Sequence, residues 1–448
     1  MTGIGEGDAL RRTRIPCTAL PNVPKDRSID ATPSPPPRAI AILPMLAVVG
    51  LVAMSAQLHR NAHVVVAPDI TRQLAISPEA LGGLSGALFV MSALFQIPGG
   101  VIIDRYGPRK SIPVMLLISM IGALIFALAP DVTWLTVGRA FVGVGMAVTL
   151  MAAVIAATRW FDAARFGMVT GILLGVSQLG NLLATAPMGA LAEWVGWRGA
   201  FLVLAALTGV LTVAAYMTIR DAPPDHPVHF RKRETFTQAW QGVLEVMRIR
   251  AIYPVLAMAF SSYASVACVI GLWGGPFLAD VYGMDTLERG VVLAVIAIGL
   301  WLGNTLFGWL DHRTGNPRRL VTGGAIGTIA IFAALALVRS APLPIVLVLF
   351  GLFGLVGSFT SMIITHGRTF YPDRIVGRGM TVVNQAVLIG VAVLQWATGL
   401  VVGAFGKPNG VTPPEAYQTV FGVLALILAI ALAIYRRSPV RGTSQSTV

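Results

Sequence analysis

From residue 39 onward the chain alternates long apolar runs with short polar breaks. Twelve runs, at about 40–66, 82–103, 111–129, 133–157, 166–190, 198–219, 251–279, 288–310, 319–338, 343–366, 379–404 and 416–435, approach the roughly 20 residues a helix needs to cross a bilayer. The pattern predicts an all-α membrane protein with twelve transmembrane helices, six on each side of a polar stretch at 220–250. That stretch carries Arg220, Arg231, Lys232, Arg233, Arg248 and Arg250, and it separates segment 39–219 from segment 251–436. Residues 1–38 hold seven prolines and charges of both signs without apolar periodicity. They read as a disordered tail with no signal-peptide core.

Composition agrees with the pattern. Charged residues make up 12% of the 448, against about 25% in ordinary globular proteins, and mean hydropathy is +0.75. Forty-eight glycines suit close helix contact in lipid. Cys17 and Cys268 stand far apart in unlike surroundings, so neither a disulfide framework nor a cysteine metal site follows. The net charge of +13 is spread over many short segments, which points to topology rather than to a nucleic-acid partner. Basic residues in short loops are retained on the cytoplasmic side. Of 33 Lys and Arg, 26 fall in the two tails, the central loop and the breaks after helices 2, 4, 8 and 10. The other seven are Arg60, Arg72, Arg139, Arg198, Arg289, Arg339 and Lys407. Both termini, including the 437–448 tail, are therefore expected in the cytoplasm.

The two halves echo each other. Asp104-Arg105-Tyr106-Gly107-Pro108-Arg109-Lys110 follows helix 2, and Asp311-His312-Arg313-Thr314-Gly315-Asn316-Pro317-Arg318-Arg319 follows helix 8, an offset of 207. Arg165-Phe166-Gly167-Met168 and Arg378-Gly379-Met380 repeat at 213 or 212. Two echoes at nearly the same interval favour duplication over chance.

The segment from Gly100 to Lys110, with glycine four residues before Asp104 and a basic pair after the turn, resembles the signature loop of the major facilitator superfamily. Arg139, Gly143 and Gly145 resemble its helix 4 motif, and Pro187, Gly189, Gly196-Trp197-Arg198 and Phe201 its helix 5–6 junction. The resemblance covers about residues 40–436. It implies two six-helix bundles that work by alternating access around a substrate held near the membrane midplane, in the inner membrane of a bacterium. On elementary grounds Gly100 is expected where two helices approach, and Asp104 against a helix N-terminus as a conformational latch. Gly107 and Pro108 make the turn, and Arg105, Arg109 and Lys110 face the cytoplasmic surface, where the last two can hold anionic headgroups. The second copy has an extra residue and Phe307 in place of the glycine.

Ionisable residues inside a bilayer are costly and are functional candidates. Arg60 lies in Gln57-Leu58-His59-Arg60-Asn61-Ala62-His63 and resembles the helix 1 arginine of organic-anion members of the superfamily. There a guanidinium meets a carboxylate or phosphate in two parallel hydrogen bonds. The alternative is an arginine that snorkels to the outer interface. His59 and His63 could share a helix face as proton or metal ligands, and Met362 with His366 form a similar pair; Arg60 disfavours a cation. Arg139 either tunes protonation, as in proton-linked relatives, or bonds backbone carbonyls of a neighbouring helix. Gln178, Asn181, Asn304, Asn384 and Gln385, with Gln96 and Gln395, are candidates to line the cavity or to tie helices together. Tyr263, Trp273 and Trp301 shape the pocket or pack.

Helix 5 lacks the Gly-Pro pair of many drug-proton antiporters, and no phosphate-binding glycine loop or catalytic grouping occurs. No cofactor and no enzymatic activity are expected. The expected partners are an anionic small molecule, protons and lipids, with a monomeric protein. Rival readings are a drug or metabolite exporter of the same fold, a transition-metal transporter and a solute receptor. Reporter fusions after residues 225 and 440 should read cytoplasm and one near residue 285 the outer side; a reversed pattern overturns the orientation.

Overall fold

A computed structural model describes residues 39–161, 163–222, 236–337, 342–372, 375–406 and 411–438. The described residues from Leu43 onward belong to one compact unit; of the other, residues 1–42, the helical backbone of 39–42 is described. The expectations for the tails, for Arg231, Lys232 and Arg233, and for Arg339 and Lys407 fall outside the described residues.

Among the described residues sixteen α-helices follow in order: α1 (Ala39–Leu74), α2 (Pro78–Tyr106), α3 (Pro108–Ala127), α4 (Val132–Met146), α5 (Thr149–Thr158), α6 (Ala163–Leu183), α7 (Ala186–Thr218), α8 (Phe236–Met247), α9 (Tyr253–Cys268), α10 (Gly274–Tyr282), α11 (Thr286–Thr314), α12 (Pro317–Leu337), α13 (Leu343–Gly357), α14 (Thr360–Arg368), α15 (Val376–Gly403) and α16 (Pro414–Tyr435). A π-helical segment, Val269–Trp273, joins α9 to α10. Among the described residues, eleven helical spans are long and apolar enough to cross a bilayer, and Met168–Leu183 is a shorter apolar helix. Predicted helices 5 and 6 meet inside α7, where the chain turns at Gly196 with φ 73° and ψ 163°. Only a residue without Cβ adopts that backbone readily.

Apolar side chains cover the outside. Leu207, Val210, Val213 and Met217 of α7 are 59–68% exposed, an arrangement that water would penalise and lipid would not. The short α8 exposes Phe236, Trp240, Leu244 and Met247 on one face and buries Val246, the pattern of a helix lying at an interface.

The halves share their construction. Helix 4 of the sequence reading breaks between α4 and α5 at Ala147, and helix 10 breaks between α13 and α14 at Ser358, 211 positions later. At the same interval, a Cβ on Gly143 would collide with the Leu88 carbonyl, and one on Gly354 with the Ile296 carbonyl. Ser92 donates to the Gly143 carbonyl at 2.9 Å, and Ser358 to that of Leu300 at 2.9 Å. The signature turns differ, as the extra residue requires. Gly107 turns at φ 78°, ψ 162° straight into Pro108, whereas Gly315 is a left-handed cap followed by Asn316. Helix α3 is capped from afar, Arg109 N donating to Asp221 Oδ1 at 2.8 Å; α12 is capped locally, Arg319 N donating to Asn316 Oδ1 at 3.1 Å.

One expectation shifts by a residue. A Cβ at Gly100 would meet nothing within 4 Å, and the close approach falls at Gly99, whose Cβ would lie 2.9 Å from Val148. Gly100 is on a different side of α2, so its four-residue spacing from Asp104 does not serve helix contact in this conformation. Asp104 is exposed, as are Arg105, Arg109 and Lys110.

The two halves meet where α1 and α15 end and where α2 and α11 begin. Gly82, Gly86 and Gly399 bring α2 and α15 into backbone contact. Pro68 lacks the N–H that would bond the Val64 carbonyl, and Gly275 of α10 packs on that carbonyl. Asp69 accepts from Arg289 at 2.7 Å and from Thr286 at 3.0 Å, and Glu193 accepts from Leu287 N at 2.7 Å. At the same end, within the first half, Trp197 and Arg198 both donate to Gln73, and Arg198 also reaches the Ala129 carbonyl. At the opposite end the core divides. Val246, Ile252, Phe359, Ile363, Val383 and Tyr435 belong to a cluster separate from the main core that holds Ile103, Ile112 and Ala156.

Because the Leu88 carbonyl cannot retreat, Gly143→Ala should destabilise the protein by about 1–3 kcal/mol, read as a lower melting temperature in detergent. Gly100→Ala, with open space around it, should melt like the parent; equal losses in both would contradict this packing.

Candidate functional site

The polar cluster of α1 is the start of a side-chain network. Arg60 Nη1 donates to Gln57 Oε1 at 3.3 Å, and Gln57 Nε2 donates to Gln178 Oε1 of α6 at 3.2 Å. Asn181 Nδ2 donates to the same Gln178 oxygen at 3.1 Å, and Asn61 Nδ2 donates to Asn181 Oδ1 at 2.8 Å. These residues meet because 57, 60 and 61 share a face of one helix and 178 and 181 a face of another. Gly180 allows the approach, since a Cβ there would strike the Met54 carbonyl. Asn61 and Asn181 are buried; Gln57, Arg60 and Gln178 are half-buried. Among the described residues, no carboxylate lies within ion-pair distance of Arg60.

Arg139 is buried beneath this network. Its Nη1 donates to the His59 carbonyl at 2.8 Å and its Nη2 to that of Arg60 at 3.1 Å. Of the two roles open to it in the sequence, this geometry is the backbone one: a planar fork bridging two successive carbonyls, each with a spare lone pair. His59 is also buried, with Nδ1 2.9 Å from the Ser55 carbonyl and Nε2 3.2 Å from Thr208 Oγ1 of α7. His63 Nε2 lies 2.8 Å from Ser85 Oγ of α2. The two histidines, four residues apart, thus reach different neighbours.

The network approaches the second half through the π segment. A Cβ on Gly271 would lie 3.4 Å from Asn61 Oδ1 and 3.2 Å from Gln395 Nε2 of α15. Gln395 is buried and donates to the Ala267 carbonyl at 3.2 Å. Gln395 stood in the sequence only among general cavity candidates; its place opposite Asn61 depends on the π segment, which no local pattern announces. Gln385 donates to the Ala93 carbonyl of α2 at 3.3 Å, tying the halves, while Asn384 is half-buried nearby.

Other candidates lie elsewhere. Asn304 donates to its own helix at the Leu300 carbonyl, 2.8 Å away. Met362 belongs to the separate core cluster, and His366 is buried against it, its Nδ1 2.7 Å from Tyr435 Oη and its ring edge-on to Phe370. The structure does not bring them to His59 and His63, and no group of three or more potential metal ligands forms among the described residues. Trp273 donates to Thr398 at 2.8 Å and is buried; Gly145 packs against Ser119 and Met115 of α3.

The family model described as "Major Facilitator Superfamily" matches residues 49–365 and again 255–447. The "Probable sulfoacetate transporter SauU" of Cupriavidus necator is 27% identical over 288 residues, 61% of this chain and 66% of that protein. The "Probable nitrate/nitrite transporter NarK2" of Mycobacterium tuberculosis is 26% identical over 280 residues, 59% of this chain and 65% of that protein. The chain thus matches just under two thirds of the length of these relatives. A bacterial homolog of the human lysosomal transporter Spinster superposes with a TM-score of 0.73 at 19% identity, covering 90% of this chain and 97% of that one. The D-xylose-proton symporter gives 0.71 at 16%, covering 89% and 98%. At such identities the likeness is one of fold.

Arg139→Lys should keep the charge but lose one of the two carbonyl bonds, costing about 1.5–3 kcal/mol. The check is thermal unfolding of purified protein; a parental melting temperature would show that the fork is not needed.

Proposed function

The chain belongs to the major facilitator superfamily, a multi-pass membrane family, and from that premise we propose that it is a secondary transporter moving a small organic anion by alternating access. The observation that carries the anion is Arg60: a half-buried guanidinium within a membrane helix, held by an amide and, among the described residues, by no carboxylate. An arginine so placed presents its remaining N–H groups to a ligand oxygen. Relatives named for sulfoacetate and for nitrate or nitrite transport support the same charge class.

In this reading twelve helices form two bundles, 39–219 and 251–436, in a bacterial inner membrane with both termini cytoplasmic. The end joined by Asp69 and Arg289 is then the outer gate, closed, and the end where the core divides lies on the cytoplasmic side. The exposed Arg109 and Lys110 sit at the headgroups of that face. Transport is driven by gradients and coupled to protons, with His59 and His63 flanking Arg60 in sequence as titratable groups near the site.

The test is Arg60. If its planar fork grips the anion, Arg60→Lys should bind sulfoacetate or tartrate much more weakly and Arg60→Ala more weakly still. A loss of about 2–5 kcal/mol corresponds to roughly 30-fold to several thousandfold in Kd. Calorimetry on purified parent, Lys and Ala proteins reads it. Parent-like affinity in the Lys variant would remove the case for an anion and favour an exporter of other amphipathic solutes.

A further inference from the structure

Building on the anion reading above, we infer that the site takes a two-headed anion, gripped by Arg60 at one acceptor group and Gln178 at another, with Gln57 the positioning residue that sets the polarity of both. The argument begins with a property of arginine: a guanidinium has only donors. Arg60 therefore obliges Gln57 to present its oxygen, which turns the Gln57 nitrogen toward Gln178. Facing a donor, Gln178 must present its own oxygen. Asn181 donates to that same oxygen, which turns its own oxygen toward Asn61, whose Nδ2 donates to it.

Every amide of this network is thus oriented from one end. The consequence falls on Gln178, whose oxygen is taken twice and whose Nε2 has no hydrogen-bond partner among the described residues. The Arg60 Nη2 carries none either, and its Nε is buried without one. Two donor heads therefore remain, a guanidinium and a carboxamide nitrogen, spaced by the single carboxamide of Gln57. A carboxylate or sulfonate on Arg60 satisfies one head. The other calls for a second acceptor on the same short molecule: a second acid group or a hydroxyl oxygen. A one-headed anion leaves the Gln178 donor without a solute acceptor, and a cation meets only donors.

Gln57→Glu tests the polarity at nearly constant volume. The new carboxylate would pair with Arg60 and accept from Gln178, and Asn181 and then Asn61 would invert in turn, so that the Gln178 oxygen faces the ligand. The probes are acetate and methanesulfonate as one-headed anions, and malonate, sulfoacetate and tartrate as two-headed ones, with binding measured by calorimetry on the full chain in detergent. The parent should prefer the two-headed set by about tenfold or more, the scale of one hydrogen bond to a charged group. Gln178→Leu should collapse that preference toward one. Gln57→Glu should weaken the two-headed set at least as far as Gln178→Leu does, with a melting temperature close to the parent's. Equal binding of both sets by the parent, or a preference that survives in Gln178→Leu or in Gln57→Glu, overturns this inference while leaving the anion reading intact. Failure of all anions, with binding of neutral or cationic solutes instead, overturns both.

Discussion

Helices in lipid are not driven together by water, so they associate where backbones can come close and where carbonyls find donors. In this chain that requirement falls on glycine facing carbonyl. Gly143 meets Leu88, Gly354 meets Ile296, Gly390 meets Phe260, Gly275 meets Val64 and Gly180 meets Met54. Each contact sets an interhelical distance that a methyl group would widen. The polar network exists because Gly180 lets α6 lie near enough to α1 for Gln178 and Asn181 to reach Gln57 and Asn61. Gly271 likewise sits between Asn61 and Gln395, where a larger residue would press on both.

Arginine imposes the second constraint, through what it cannot do. Arg139 cannot accept a hydrogen bond and has no carboxylate in reach among the described residues, so its buried charge is solvated by backbone oxygen at His59 and Arg60. That interaction fixes the turn of α1 from which Arg60 projects. Arg60, in turn, polarises the amides beside it. Arg289 uses a different solution, a carboxylate at Asp69, and the pair joins the halves at one end while the other end keeps two separate cores. Three arginines in apolar helices thus have three kinds of partner: carbonyl, amide and acid.

The duplication is deeper in the structure than its loops suggest. The signature turns have diverged, with different backbone angles at Gly107 and Gly315 and different caps on the following helix. The break in the fourth helix of each half and its glycine contact have stayed 211 positions apart. Loops tolerate insertion because water satisfies their backbone, whereas a helix break in lipid must be matched by its neighbours.

What the sequence by itself determined was the helical, membrane-spanning class and the family that its signature loop resembles, since hydropathy and charge are local properties that lipid reads directly; it also singled out the segment from Gln57 to His63. It also marked Gln178, Asn181, Arg139 and Gly143 as noteworthy. Only the tertiary structure decided which of these meet. It moved the close contact from Gly100 to Gly99, turned Arg139 to backbone carbonyls, and separated His366 from the other histidines. It also paired Asp69 with Arg289 across 220 positions. Hydrogen-bond partners on different helices depend on interhelical distance and rotation, which are set by steric contacts that a one-dimensional pattern does not carry.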